Sequence, residues 1–229
     1  MRAEFVSLAW LVATLAGYYA LKPVYRRHPR WWTSPLLTVP VWLALLGVIF
    51  GMNYPAYIRD THWLVLMLGP ATVAFALPIW RYRHVIREHW LALALGVVGG
   101  STVAMGSAWA LASALGLDDE VRRSLVPRSI TTPLAMVVSS DIGGVPELTA
   151  LFVVITGVAG IALGELLLKY LPLRSALARG ALFGVGAHGA GTAKAYGIGA
   201  EEGAVSSLAM VLSGILNVLL APVVAKLMA

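Results

Sequence analysis

The chain of 229 residues contains no cysteine, which excludes disulfides, zinc–thiolate sites and iron–sulfur clusters together. Charge is scarce as well: 12% of residues are Asp, Glu, Lys or Arg, against about 25% in soluble domains. The polar stripes of period 3.6 that a large soluble helical core needs are missing. No Walker loop occurs, because G-x-G sequences such as GVG and GIG lack the Lys–Ser/Thr sequel and a preceding strand. HExxH is absent, as is any pair of carboxylates in a polar context. No enzyme, metal site or cofactor is therefore expected, and no soluble domain, linker or low-complexity tract is evident.

What is present is apolar. Hydrophobic residues make up 59% of the chain, and mean hydropathy is +0.80. Six stretches are long enough to span a bilayer, at roughly 4–21, 35–51, 62–80, 90–116, 147–171 and 203–228, since a hydrocarbon core of about 30 Å needs roughly 20 helical residues. These describe an all-α polytopic membrane protein with about six full spans. The first stretch could pass for a signal peptide, but it has no basic region beyond Arg2 and its end, YYALKPVYRR, lacks a small-residue cleavage site. A retained first helix is expected. The net charge of +6 sits in loops beside spans, which is the positive-inside pattern and not a nucleic-acid surface.

Loop charge sets the orientation. KPVYRRHPRWW carries Lys22, Arg26, Arg27 and Arg30 with no acid, and RYRHVIREH carries Arg81, Arg83 and Arg87 against Glu88 alone. Both should face the cytoplasm. The nearly neutral NYPAYIRDTH and the mixed GLDDEVRRS should lie outside. Tryptophans 31, 32, 63, 80 and 90 suit the headgroup belt. The amino terminus is then outside and the chain multi-pass in the cytoplasmic (inner) membrane.

Simple counting fails in the second half. The stretch 127–140 is only about 21 Å long as a helix, and a full crossing there would put Lys169, Arg174 and Arg179 outside, against the charge rule. If 122–146 enters and leaves on one side, that basic segment returns to the cytoplasm. Residues 180–203 hold eight glycines in 24 positions, with His188, Thr192 and Lys194 among them. Non-helical backbone at membrane depth is tolerated only where it is buried in protein or lines a wet cavity. Two re-entrant or broken-helix segments, 122–146 and 178–203, are therefore expected to face each other, as in secondary transporters. GPATVAFAL (69–77) and VPRSITTPL (126–134) share proline, hydroxyl and apolar positions at an offset of 57, which raises the possibility of an inverted repeat.

Several residues could carry chemistry. PRSITTP places Arg128, Ser129, Thr131 and Thr132 between two prolines, and Pro133 makes the backbone near Thr132 irregular. That suits a small oxyanion or a cation; a kinked helix with hydroxyls bonded to its own carbonyls is the alternative. SSDIGGVPE is a turn, in which Asp141 either binds a proton or cation or caps the turn. Glu147 belongs in a first helical turn, where a carboxylate favours the dipole; Glu201 and Glu202 fit the same role, or touch the site across the hairpin. Glu165 and Lys169 are spaced as an i,i+4 ion pair. His188 and Lys194 are six apart and cannot share a face unless the backbone breaks at Gly189, Gly191 or both. Histidine could carry a coupling proton, and lysine could pair with a carboxylate; either could instead simply face the cytoplasm.

The run LVPRSITTPLAMVVSSDIGGVPELTALFVVITGVAGIALGELLL, followed by ARGALFGVGAHGAGTAKAYGIGAEEGAVSSLAMVLSGILNVLLAPVV, closely resembles the LrgB/CidB family. The resemblance is dense over about the last 110 residues, so that residues 121–229 form the family core, 1–120 are N-terminal helices, and the whole is one LrgB-like domain. It implies an antiholin-like regulator of murein-hydrolase export paired with a small LrgA/CidA membrane partner. Plant relatives that act as plastid glycolate/glycerate translocators, and bacterial members linked to pyruvate uptake, make an alternating-access carrier of small monocarboxylates the leading expectation, with the antiholin-like regulator as the alternative. For such a solute, Arg128 and Lys194 would anchor the carboxylate. Ser129, Thr131, Thr132 and Thr192 would hold the second oxygen, and His188 or Asp141 would carry a proton. The glycine-rich faces allow a homo-oligomer, with a dimer expected.

Overall fold

The computed structural model describes residues 2–28, 30–51, 57, 59, 61, 63, 66, 67, 70, 73 and 76–228. These fall into two compact units, Met1–Ala71 and Thr72–Ala229. Every regular element among the described residues is helical.

In the first unit, α1 (Arg2–Arg27) and α2 (Pro35–Ile49) are joined through a short 3-10 turn at Trp31–Thr33. Ser34 caps α2 by accepting from the Leu36 amide at 3.3 Å, and Pro35 at the first position has no N–H to lose. The two helices meet where Gly17 lies against the indole of Trp42; a β-carbon there would come within 2.6 Å of the ring. The expected span 4–21 falls inside α1, and 35–51 is a helix of 15 residues. The expected span 62–80, the loop 53–62 and the first copy of the suggested repeat lie largely outside the described residues.

The second unit contains α3 (Ala76–Arg81), α4 (Arg83–Ala114), α5 (Asp119–Leu125), a 3-10 turn (Val126–Ser129), α6 (Thr132–Asp141), α7 (Pro146–Tyr170), α8 (Ala176–Ile198) and α9 (Ala200–Leu227). Three of these, α4, α7 and α9, are long and apolar enough to cross a membrane. They coincide with the expected spans 90–116, 147–171 and 203–228.

Helix α7 is the post around which the rest is arranged. Its Val145 end ties down the segment 119–141, which is broken in the middle. Pro127 and Pro133 frame the break, and Ile130 (ψ 171°) and Thr131 (ψ 140°) are extended between them. Both arms return to the first turns of α7. Ser124 Oγ accepts from the Val145 amide at 2.8 Å, and Thr149 Oγ1 lies 2.7 Å from Ser139 Oγ and 2.9 Å from the Ser124 carbonyl. The turn after α6 passes through Gly143 at φ +79°, a conformation costly for a residue with a β-carbon. Arg123 locks that turn, donating to the carbonyls of Ile142 at 2.9 Å and Met228 at 3.0 Å. The tip packs inward: Val126, Ile130, Ala135, Val138, Ile142, Val153 and Ala221 form one buried cluster.

Helix α8 starts at the opposite, Tyr170 end of α7, capped by Ser175 accepting from the Ala178 amide at 3.1 Å. Its backbone breaks at Ala187 (φ −139°, ψ 16°) and His188 (φ 41°, ψ −128°). The break was expected at Gly189 or Gly191; it falls instead on the two residues before them. The glycines serve a different end. Gly191 abuts the Phe183 carbonyl and the Ala187 methyl, although eight residues of straight helix would separate it from Phe183 by about 12 Å. The chain therefore doubles back. The arm 176–186 runs antiparallel to α7, with Phe183 against Gly164 and Ala187 against Gly160. The arm 189–198 returns between α7 and α9. Both segments expected to be broken are broken.

Candidate functional site

The two tips converge halfway along α7. Gly157 faces His188 and Ala190, and Gly160 faces Gly186 and Ala187, near the centre of a helix of 25 residues. Arg128 and Ser129, from the tip of the first segment, line a cleft of about 690 Å³ with Thr156 and Gly160 of α7, Gly186 of α8 and Gly96 of α4. Arg128 is half-buried, and its Nη1 nitrogen has no hydrogen-bond partner. No carboxylate among the described residues pairs with it. A guanidinium beside a break in two helices, halfway along a spanning one, can hold an anionic group.

The other candidates are not gathered at this cleft. Thr131 is the buried N-cap residue of α6, without a side-chain cap bond, and Thr132 is the first residue of that helix. His188 is 4% exposed and donates from Nε2 to the Val153 carbonyl at 3.0 Å. It is also the one non-glycine residue at positive φ among the described residues. The ring thus stitches the second tip to α7 and spans the two tips through Val153, which packs with Ile130. Thr192 Oγ1 lies 3.0 Å from Ser206 Oγ of α9. Lys194 forms a 2.5 Å ion pair with Glu165 of α7. Asp141 ends α6 on the exposed surface of the turn, away from the tips.

The expected pair of Glu165 with Lys169 is therefore corrected. Glu165 turns to Lys194 across the helix interface, and the Lys169 ammonium lies 5.7 Å from the Tyr170 ring centre. Glu202 stands in the first turn of α9 as expected, and there, 7% exposed, it also pairs with Arg179 of α8 at 2.8 Å. Each arm of α8 is thus held by one ion pair, Arg179–Glu202 on the way in and Lys194–Glu165 on the way out. Sequence spacing missed both because the partners are 23 and 29 residues apart. The available signal was the cost of any unpaired charge in an apolar run, which demands a partner somewhere. A third polar contact went unforeseen: Asn217 Nδ2 of α9 donates to Ser101 Oγ of α4 at 3.2 Å, both buried.

An all-helical arrangement among the described residues, with three helices long and apolar enough to cross a membrane, is that of a helical membrane protein. A model of the LrgB-like family matches residues 14–227, and the chain belongs to that family. Among its relatives, the uncharacterized protein YwbG of Bacillus subtilis is 40% identical over 95% of this chain and 97% of its own length. The holin-like protein CidB of Staphylococcus aureus is 30% identical over 95% of each chain. The antiholin-like protein LrgB of Bacillus subtilis is 32% identical over 83% of this chain and 85% of its own. No solved structure matches.

Proposed function

We propose that this protein is an antiholin-like regulator of murein-hydrolase export and autolysis, acting in the cytoplasmic membrane through a small LrgA/CidA-type partner. The observation that carries the reading is its likeness, over nearly its whole length, to relatives named holin-like and antiholin-like. On this reading the chain is no enzyme. It crosses the bilayer about six times with its amino terminus outside, the two broken segments entering from opposite faces, and it assembles as a homo-oligomer. Exposed helix faces are then the sensitive positions. The test is the rate of detergent-triggered autolysis in a strain deleted for this gene and complemented with it. Complementation slows lysis; lysis that is unchanged or faster contradicts the reading.

A second reading, alternating-access carriage of small monocarboxylates such as glycolate, glycerate or pyruvate, with or without a coupled proton, is favoured by one observation. Arg128 and Ser129 stand at the point where the two tips approach, without an anionic partner. Two half-helix N-termini nearby add positive potential. Purified protein in liposomes would then take up labelled two- and three-carbon acids saturably, and more so with a pH gradient. Arg128→Ala would abolish uptake. Uptake that survives both Arg128→Ala and Lys194→Ala removes this site assignment.

A further inference from the structure

The cleft at Arg128 is not built like a water-filled route. Apart from Arg128, Ser129 and Thr156 its lining is apolar or glycine, and three of its walls, Val103, Ile155 and Leu163, are 70%, 54% and 59% exposed. It is a side-opening groove between α4, α7 and α8. On its α4 wall Gly100 is already filled by the Val185 side chain of α8, and the close approach left open to another helix is at Gly96, one turn earlier. Gly96 has free space in front of it: a β-carbon there meets nothing within 4 Å. At the floor sits a cation with an unpartnered Nη1. Lipid chains can fill an apolar groove, but they leave a guanidinium at this depth without a counter-charge.

The geometry points to a transmembrane helix of a different chain, seated in this groove and presenting one carboxylate at mid-depth to Arg128. The proposal rests on the partner-dependent reading above. A second copy does not fit the role. The chain has eleven acids; all but Glu165 stand at the edges of its apolar runs or in loops, and Glu165 is already paired with Lys194.

The probe is a synthetic Leu/Ala transmembrane peptide of about 22 residues with one central Asp, compared with its Asn counterpart. Binding to the reconstituted full-length protein is followed by energy transfer to a dye on a single introduced cysteine, which the cysteine-free chain permits. The Asp peptide is expected to bind about tenfold more tightly than the Asn peptide, the size of one good interhelical polar contact. Arg128→Gln should erase that preference and Arg128→Lys should restore part of it. Gly96→Leu, at a position with room for the side chain, should block both peptides without unfolding the protein. Equal binding of the two peptides, or a preference that survives Arg128→Gln, overturns the proposal. Displacement of the peptide by millimolar acetate or pyruvate overturns it in favour of a solute site. Autolysis timing involves no peptide, so failure here leaves the antiholin-like reading separately testable.

Discussion

A methyl group placed on Gly160 tests the contact between α7 and the tip of α8. The new β-carbon would lie 2.7 Å from the Gly186 carbonyl oxygen, 2.7 Å from the Ala187 β-carbon and 3.2 Å from the Ala187 α-carbon. Ordinary carbon contacts begin near 3.5 Å, so the tip must retreat by roughly 0.8 Å. None of the three atoms belongs to a flexible side chain, and Ala187 is fully buried. Overpacking of this kind costs about 1–3 kcal/mol, while alanine recovers up to about 1 kcal/mol of helix propensity. A net loss of about 1–2 kcal/mol is expected. Gly96→Ala on α4 is the control, because its β-carbon meets nothing within 4 Å and only the propensity gain applies. Both variants can be unfolded thermally in the same detergent beside the parent. Gly160→Ala should melt below the parent, and Gly96→Ala at or above it. Equal melting of the two variants refutes the packing described for the tip.

Other perturbations probe neighbouring contacts. At His188 the positive φ reverses the usual order of alanine and glycine. His188→Ala keeps the strained backbone and loses the Val153 bond, so it should be about 1 kcal/mol less stable than His188→Gly. An alanine variant as stable as the glycine variant would show that the chain does not turn there. Lys194→Met and Glu165→Gln should be non-additive in a double-mutant cycle, with a coupling of about 0.5–1 kcal/mol for a pair that is partly exposed. Additivity would deny the ion pair. Arg123→Met should cost about 2–3 kcal/mol by stranding the Ile142 and Met228 carbonyls. It should also speed tryptic cleavage at Lys226; an unchanged rate would mean that the carboxyl terminus is held by other contacts.

Much of this architecture was legible before any coordinates. Apolar runs located α4, α7 and α9 because a bilayer-length helix leaves a strong signal in hydropathy. The prolines at 127 and 133 announced the first break, and loop charge together with the short length of 127–140 favoured a re-entrant segment over a simple crossing. The second break was placed among the glycines, yet it fell on Ala187 and His188. Dense glycine reads as flexibility, whereas Gly160, Gly184 and Gly191 let backbones touch, and Gly157 and Gly164 make room for the rings of His188 and Phe183. The site residues were only half readable. Arg128 and Ser129 do line the central cleft, but Lys194 and Glu202 are neutralised by Glu165 and Arg179 across helix interfaces. Spacing along one helix carries no information about such partners, which is also why Glu165 was matched to the wrong lysine.

That the chain doubles back at Ala187–His188 is what brings the second tip to the first, and it can be read directly by cysteine crosslinking. Gly180 on the incoming arm faces Val205, whereas Thr192 on the outgoing arm bonds Ser206 one residue further along α9. On an unbroken helix Thr192 would stand about 18 Å beyond Gly180, far past Ser206. Two double variants of the cysteine-free chain suffice: Ser139→Cys with Thr149→Cys as the oxidation control, whose side-chain oxygens lie 2.7 Å apart, and Thr192→Cys with Ser206→Cys, whose oxygens lie 3.0 Å apart. Formation of disulfides in both, in native membranes under mild oxidant, is the predicted result. A bridge at 139–149 with none at 192–206 would contradict the folded-back hairpin and the meeting of the two tips with it.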